Sequence, residues 1–485
     1  MTEKIISKIQ LYNSVSKSKE VFVPLEKGKV GMYTCGPTVY HYAHIGNLRT
    51  FLFEDFLRRM FLFCGYTVEH VMNITDVGHL TDDGDSGEDK MLKGAKREKK
   101  TVWEVAEFYT EAFLEDIRSL NILMPDVLCR ATEHIKEQIV MIQKLEKNGF
   151  TYSAGGNVYF DSSKDPEYGA LVGLDVHAKN MRQARVTEDE NKKNPHDFVL
   201  WFTKSKFDDQ AMKWESPWGV GYPGWHIECS AMASKYLGEQ FDIHCGGIDL
   251  APVHHINEIA QAQGAYGKEP WVKYWMHGEF LVLGASEKMS KSQGNFLTLS
   301  SLVERGFDAL DYRYFCMGGH YRKPLTFSFE ALEAAQVARR KLQEKVWEIS
   351  ETLGSSDVVS LETLGVQNLS AASRLYYDSF LEFIKDDLTM PRALAVVWEL
   401  LKDGDVSDNE KYILLMAFDQ VLGLQFDQMK PVIEVPEEVM VLARKRQEAR
   451  AVKKWDESDA LREKIVALGY EVADVPDGFE LKKKS

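Results

Sequence analysis

The chain has 485 residues, 74 acidic against 59 basic side chains for a formal net charge of −15, and a composition that is 44% hydrophobic and 27% charged. That length suits about three domains and argues against a single small binding module. The composition argues against a disordered or fibrous chain, and the negative charge against a protein that coats nucleic acid non-specifically. The most apolar stretch, Phe51 to Tyr66, carries Glu54, Asp55, Arg58 and Arg59, so no membrane span is expected. Met1 to Asn13 has no apolar core of signal-peptide length, which makes a reducing cytoplasm the default location. Six cysteines in so long a chain do not make a disulfide framework and are read as core residues, ligands or nucleophiles.

In chain order, Val30 to Thr34 reads as a short strand ended by Gly36-Pro37, with a helix from about Ile45 to Phe63 and a strand from Thr67 to Asn73. That alternation predicts a parallel α/β unit whose crevice, at the carboxyl ends of the strands, holds Cys35, His44 and Thr75. A helix near Glu133 to Lys147 leads into a turn-rich run from Asn148 to Gly224, read as an insertion between two halves of a nucleotide-binding domain. The α/β texture resumes at His226, with a strand from Phe241 to His244, a glycine loop, and a helix opening after Pro252. Beyond Phe327, Leu342, Val346, Ile349 and Leu353 fall on one helical stripe and begin an all-α bundle. Glu437 to Leu468 reads as a further helix ended by Gly469, with a hairpin around Asp477-Gly478. Arg444, Lys445, Arg446, Arg450, Lys453 and Lys454 make that region basic; a solvated helix face is the bland reading of such a run.

Four segments carry chemistry. In Cys35-Gly36-Pro37-Thr38-Val39-Tyr40 and His44-Ile45-Gly46-Asn47, a histidine at a helix start with a glycine two positions on lets a phosphate approach the backbone. In Lys288-Met289-Ser290-Lys291-Ser292, two lysines three apart on a loop can neutralise charge on a leaving pyrophosphate. The third and fourth are Gly224 to Ser230 and His244 to Glu258. His254 and Glu258, four apart after a proline, project from one helix face; with thiolates from Cys35 and Cys229 they make a four-donor set of the type zinc accepts. On spacing alone His255 could replace His254, and Cys245 is nearby.

These segments, together with Asn73-Ile74-Thr75-Asp76, Asp197 to Trp201, Ser216-Pro217-Trp218-Gly219 and His320-Tyr321-Arg322, resemble the class I aminoacyl-tRNA synthetases and, within them, the cysteinyl-tRNA synthetase family. The resemblance covers nearly the whole chain. It implies a Rossmann-like parallel-sheet catalytic domain with an insertion, followed by an α-helical bundle and a small C-terminal domain. Its expected limits are residues 1–130 and 226–327 for the two catalytic halves, 131–225 for the connective insertion, 328–430 for the bundle, and 431–485 for an anticodon-binding segment. It implies activation of cysteine by ATP, used with magnesium, and transfer of the cysteinyl group to tRNA(Cys) by a monomer, with one zinc per chain. The implied zinc ligands are Cys35, Cys229, His254 and Glu258. His44 and Asn47 would line the phosphates, Lys288 and Lys291 stabilise pyrophosphate, Gly247 and Asp249 hold the ribose, and Thr75 and Trp225 line the amino-acid pocket.

The chain departs from the family pattern at Asn47, where histidine is usual, at Ile256 in place of an acidic residue, and at Tyr222 in place of arginine. The acidic stretch Gly78 to Glu88 reads as a solvated loop, because its carboxylates follow no calcium spacing. Two rival readings are a ligase joining cysteine to an amino sugar, which would lack the helices from 328 and the basic segment from 437, and a degenerate paralogue, which the two lysines oppose.

Overall fold

The structure is a computed structural model that describes residues 9–78, 90–173, 189–204, 212–284, 297–353, 360–428, 436–475 and 478–483. Lys288, Lys291 and most of the acidic stretch lie outside the described residues. The chain opens with an antiparallel hairpin, β1 (Gln10–Asn13) and β2 (Ser18–Val21). β3 (Lys29–Thr34), α1 (Ile45–Phe63) and β4 (Thr67–Ile74) follow as expected. Then come α2 (Lys90–Glu98), α3 (Val102–Ser119), β5 (Val127–Arg130) and α4 (Ile135–Lys147). The insertion folds as an antiparallel sheet of β6 (Thr151–Ala154), β7 (Asn157–Phe160), β8 (Phe198–Phe202) and β9 (Tyr222–Pro223). The second half supplies α5 (Trp225–Leu237), β10 (Phe241–Gly247), α6 (Ile256–Tyr266) and β11 (Val272–Gly278).

Five strands pair in the order β11-β10-β3-β4-β5, every pair parallel. The two halves of the chain meet where β3 pairs with β10. Strand order reverses there, and a crevice opens at the carboxyl ends. β10 runs three residues past the expected end at His244, because Gly246 and Gly247 pair with His277 and Gly278 instead of looping away. α6 also begins later than expected: residues Ala251–His255 form a five-residue π-helical turn, and the α-helix starts at Ile256. Such wide turns are uncommon and cluster at functional sites.

α1 is buried on all sides: 14 of its 19 residues, including Arg49, Glu54, Asp55, Arg58 and Arg59, are inaccessible. Most of the charges that argue against a membrane span are met by partners in the protein. Asp55 accepts from Arg59 at 2.8 Å and from Arg313 at 2.6 Å, and Arg58 forks onto Asp126 at 3.0 and 3.1 Å. Among the described helices none is long and apolar enough to cross a membrane.

After β12 (Leu281–Leu283) the chain forms α7 (Leu299–Val303), α8 (Ala309–Met317) and β13 (Leu325–Phe327). The expected helical region contains α9 (Phe329–Leu353), α10 (Leu361–Leu364), α11 (Ala371–Lys385), α12 (Met390–Lys402) and α13 (Asp408–Leu422). Its apolar stripe joins the core around α1.

The helix expected over Glu437 to Leu468 is two helices, α14 (Glu437–Ala451) and α15 (Trp455–Ala467), before the hairpin β14 (Tyr470–Val475) and β15 (Gly478–Lys483). Lys453 takes a left-handed φ of 58°, which turns the chain back so that Val439 and Ala443 pack with Ile465, Tyr470 and Val472; one straight helix would leave them in water. The basic run is not a single solvated face either. Arg446 is buried and, with Arg450, grips Asp474 at 2.7 and 3.1 Å.

Glu54 is the exception to this accounting. It is 1% exposed, and neither carboxylate oxygen has a hydrogen-bond partner. Burial pushes its pKa well above the usual carboxylate range, so it is held as a neutral acid. Glu54→Leu should therefore stabilise the fold, by about 1–3 kcal/mol if an unpaired polar group is removed without strain. The sign with pH is fixed. Below the unfolded-state pKa both states hold the proton, whereas above it only the unfolded state ionises, and the parent loses stability as pH rises. Thermal melts from pH 5 to 8 should show the gap between variant and parent widening by up to about 1.4 kcal/mol per pH unit. A constant or narrowing gap contradicts a neutral Glu54.

Candidate functional site

The crevice is built by the ends of three parallel strands. Cys35 follows β3, and its N–H donates to the Cys245 carbonyl on β10 at 3.1 Å. Thr75 follows β4. The Gly36 N–H donates to Asn73 Oδ1 at 2.9 Å, and Asn73 Nδ2 donates to Thr75 Oγ1 at 3.0 Å. A Cβ on Gly36 would stand 1.7 Å from the Asn73 carbonyl oxygen, so only glycine lets the β3 and β4 ends close on one another. Trp225 opens α5, and its ring stacks on His254 with centroids 4.4 Å apart.

Cys35, Cys229, His254 and Glu258 converge, as the spacing suggests. They come from β3, α5, the wide turn and α6, all are buried, and their four donor atoms lie within 4.8 Å of one another. Glu258 Oε1 is 3.0 Å from His254 Nε2 and 4.0 Å from Cys35 Sγ. A tetrahedral shell with bonds of about 2.0–2.3 Å places its donors roughly 3.3–3.8 Å apart, so small movements would close this set on one ion. A second quartet, Cys35, His244, His255 and Glu258, meets the same criterion. In it His255 Nε2 lies 3.5 Å from Cys35 Sγ, with its Nδ1 2.7 Å from His277 Nε2, and His244 Nε2 lies 3.0 Å from Glu258 Oε2; the two quartets share Cys35 and Glu258.

The electrostatics match a cation site. Burial alone would raise the Glu258 pKa, but the charges of His244 and His254 outweigh it and hold the carboxyl down at about 2. Burial disfavours a charged His254, yet Glu258 and Cys229 pull it up to about 10. Cys229 is brought down to about 7 against its burial, chiefly by its hydrogen bond with Cys35 and then by His254. A buried carboxylate therefore borrows an imidazolium as its cation, and a metal ion would release that proton.

At the other side of the crevice His44 is the N-cap of α1. Its Nδ1 accepts from the Asn47 N–H at 3.0 Å, and its own N–H donates to Asn47 Oδ1 at 3.2 Å. Asn47, itself exposed, thus closes a reciprocal cap in which its Oδ1 is occupied. Gly247 ends β10, and Asp249 lies in the turn after it with its carboxylate folded over Gly247. A Cβ on Gly247 would also come within 3.9 Å of Thr50 Oγ1 on α1. The two halves of the crevice face each other across this approach.

Several residues that build the site went unassigned in the sequence. His244 touches Glu258 at 3.0 Å and His226 touches His254 at 3.0 Å, while His277 holds His255 at 2.7 Å, yet their spacing along the chain says nothing of it. Arg49 is buried and donates to the carbonyls of Glu279 and Phe280 at 2.6 Å, of Lys323 at 2.6 Å and of His320 at 3.3 Å. It pins the head of α1 to the chain on both sides of residues 281–319. Tyr222 stacks on Phe202, and Ile256 is core.

Gly36→Ala should lower the melting temperature, by at least the roughly 1–3 kcal/mol typical of overpacking; an unchanged melting curve would mean the strand ends separate freely.

Residues 21–337 match the family model described as the tRNA synthetases class I (C) catalytic domain. A cysteine–tRNA ligase of Treponema denticola is 49% identical, with 96% of this chain and 98% of that protein covered. Cysteine–tRNA ligase 1 of Burkholderia lata is 45% identical, covering 98% and 96%. Among solved structures, the Mycobacterium tuberculosis methionyl-tRNA synthetase bound by methionyl-adenylate shares the fold at a TM-score of 0.53 and 16% identity, over 86% of this chain and 94% of that one. The Agrobacterium radiobacter K84 agnB2 LeuRS, in a ternary complex with tRNA and LeuAMS, does so at 0.58 and 11%, over 84% and 85%. With its parallel sheet, its buried thiol–imidazole–carboxylate cluster and this degree of identity along its whole length, the chain belongs to the class I aminoacyl-tRNA synthetases, in the cysteine–tRNA ligase family.

Proposed function

We propose that the protein activates cysteine with ATP and transfers the cysteinyl group to tRNA(Cys), acting as a monomer in the cytoplasm, with the substrate thiol selected at a zinc ion held by Cys35, Cys229, His254 and Glu258. The single observation that carries this reading is the convergence of those four buried donors at the mouth of β3. Zinc bound there supplies a soft Lewis acid that favours a thiolate over serine's hydroxyl, where a hydrophobic pocket alone separates near-isosteres only about 10–200-fold.

The chain's own groups then do the positioning. Trp225 and Thr75 flank the metal ligands and wall the amino-acid pocket. The head of α1, with His44 and the Asn47 amide, receives the phosphates of magnesium ATP. Gly247 lets the ribose approach the backbone, and Asp249 accepts from its hydroxyls. The cysteine carboxylate attacks the α-phosphorus, pyrophosphate leaves with its charge met by Lys288 and Lys291, and the terminal ribose of the tRNA takes the acyl group. Little proton transfer is needed; alignment and charge stabilisation supply the rate. The five segments delimited from the sequence are retained as the division of labour. The bundle and the C-terminal unit favour tRNA over an amino sugar as acceptor.

Cys229→Ser tests the metal assignment. Loss of one thiolate should collapse zinc binding and cysteine-dependent pyrophosphate exchange together, and elemental analysis finding full zinc in the variant contradicts it.

Asn47→Ala should slow activation by roughly two to three orders of magnitude, as for a lost catalytic donor, and cost about 1 kcal/mol of stability for the broken cap. Zinc content and cysteine affinity should hardly change. Single-turnover adenylate formation at the parental rate would remove Asn47 from the phosphate chemistry.

Truncation after Pro436 should spare adenylate formation, since every proposed active-site residue precedes it. tRNA binding should weaken, and its salt dependence should become shallower. Trp455, 53% exposed with the Arg450 guanidinium 5.5 Å from its ring, offers a base-stacking surface there. Equal tRNA affinity would reduce this unit to a solvated appendage.

A further inference from the structure

Two buried imidazoles beside the proposed zinc ligands are not used by the chemistry above. His244 and His255 are each 0% exposed, and both reach the cluster for reasons local to the chain. Glu258 follows His254 by four residues and His255 by three, and both spacings make neighbours on one helix surface. His244 arrives from β10, where its ring stacks on Trp275 with centroids 4.4 Å apart.

With Cys35 and Glu258 these two histidines form a complete donor set of their own, its four ligand atoms within 4.8 Å of one another. His255 Nε2 is 3.5 Å from Cys35 Sγ and 3.9 Å from Glu258 Oε1. Such separations lie close to the roughly 3.3–3.8 Å between donors around one tetrahedral ion. The carboxylate divides between the two sets: Oε1 stands 3.0 Å from His254 Nε2, and Oε2 stands 3.0 Å from His244 Nε2. A further feature suits His255 to be a ligand. Its Nδ1 is 2.7 Å from His277 Nε2, and His277 Nδ1 is 2.7 Å from Ser14 Oγ. Metal-binding imidazoles are held in this way through the other ring nitrogen, which fixes the tautomer. With Nδ1 donating into that relay, His255 Nε2 keeps its lone pair on the side of Cys35.

We propose that Cys35, His244, His255 and Glu258 form a second divalent-metal position, so that the pocket has a one-ion state and a two-ion state bridged by the Cys35 thiolate and the two oxygens of Glu258. The donors rank the two positions. The first ion takes three anionic donors, Cys35, Cys229 and Glu258, and one imidazole. The second adds only two neutral imidazoles to anions already bound, and it enters against the charge of the first. It therefore binds more weakly and fills in metal excess, while one zinc per chain stays the resident state. Thiolate and imidazole suit zinc or cobalt and do not suit magnesium.

Cobalt(II) titrated into the zinc-loaded full-length protein tests this, with metal content measured alongside the spectrum. All six cysteines are buried, so an ion caught on the surface meets no sulfur and gives no sulfur-to-cobalt charge-transfer absorption. The parent should keep its zinc, gain one cobalt and show that absorption. His255→Gln removes a ligand of the second position alone, so it should keep its zinc and lose the absorption. Cobalt uptake by the parent without the sulfur band, a band that grows only as zinc is lost, or the same band in His255→Gln overturns the proposal and leaves His244 and His255 as packing around Glu258. A parent that holds no zinc at all would overturn the first position as well. None of these results depends on whether the protein activates cysteine, which pyrophosphate exchange measures separately.

Discussion

The site depends on one buried carboxylate. Glu258 has no access to water, and each oxygen is 3.0 Å from a histidine, His254 on one side and His244 on the other. A buried carboxylate is tolerated only when its charge is met and its lone pairs are filled. Meeting those needs brings together β10, which carries His244, the wide turn, which carries His254, and α6 itself. The thiols of Cys35 and Cys229 stand at the remaining side. The polar cluster is therefore costly to assemble, and Cys35 and Glu258 are common to both donor quartets within it.

α1 plays the corresponding part for the other half of the crevice. A helix held by ion pairs cannot slide or rotate without breaking them: Asp55 is held by Arg59 and Arg313 in the interior, and Arg58 by Asp126 at the surface. Its head carries His44 and Asn47, and Arg49 ties that head to four carbonyls of the second catalytic half. The head of α1 and the buried donor cluster are thus fixed to a common frame. On the proposed function, alignment of the two substrates follows from that frame rather than from flexible side chains.

Much of this was legible in the residue order. Glycine and proline after a short apolar run located β3, and the helical pattern that follows located α1 at about Ile45 to Phe63, where the structure has it. Spacing put His254 and Glu258, four apart, on one helix face near candidate thiols but left His255 and Cys245 as alternatives; the choice of Cys35, Cys229, His254 and Glu258 rested on the family resemblance, and the structure brings those four side chains together. What was not legible is what three-dimensional pairing decides. β11 is buried on both faces and so lacks the alternation that marks a strand. β5 has only four residues, and the π turn depends on fitting both His254 and His255 against neighbours more than twenty residues away. The break at Lys453 reflects a helix folding back to bury Val439 and Ala443, a tertiary demand that no local propensity announces. His244, His277 and Arg49 act through partners that only the sheet brings near.

The central claim is that the four buried donors hold a metal ion that recognises the substrate's sulfur. X-ray absorption at the zinc edge, recorded on the purified full chain before and after adding cysteine, tests this most directly. The account predicts a resident zinc with two sulfur and two nitrogen or oxygen neighbours, and an increase in sulfur neighbours when cysteine is added but not when serine is added. A zinc spectrum unmoved by cysteine, or a first shell without two sulfurs, would contradict it.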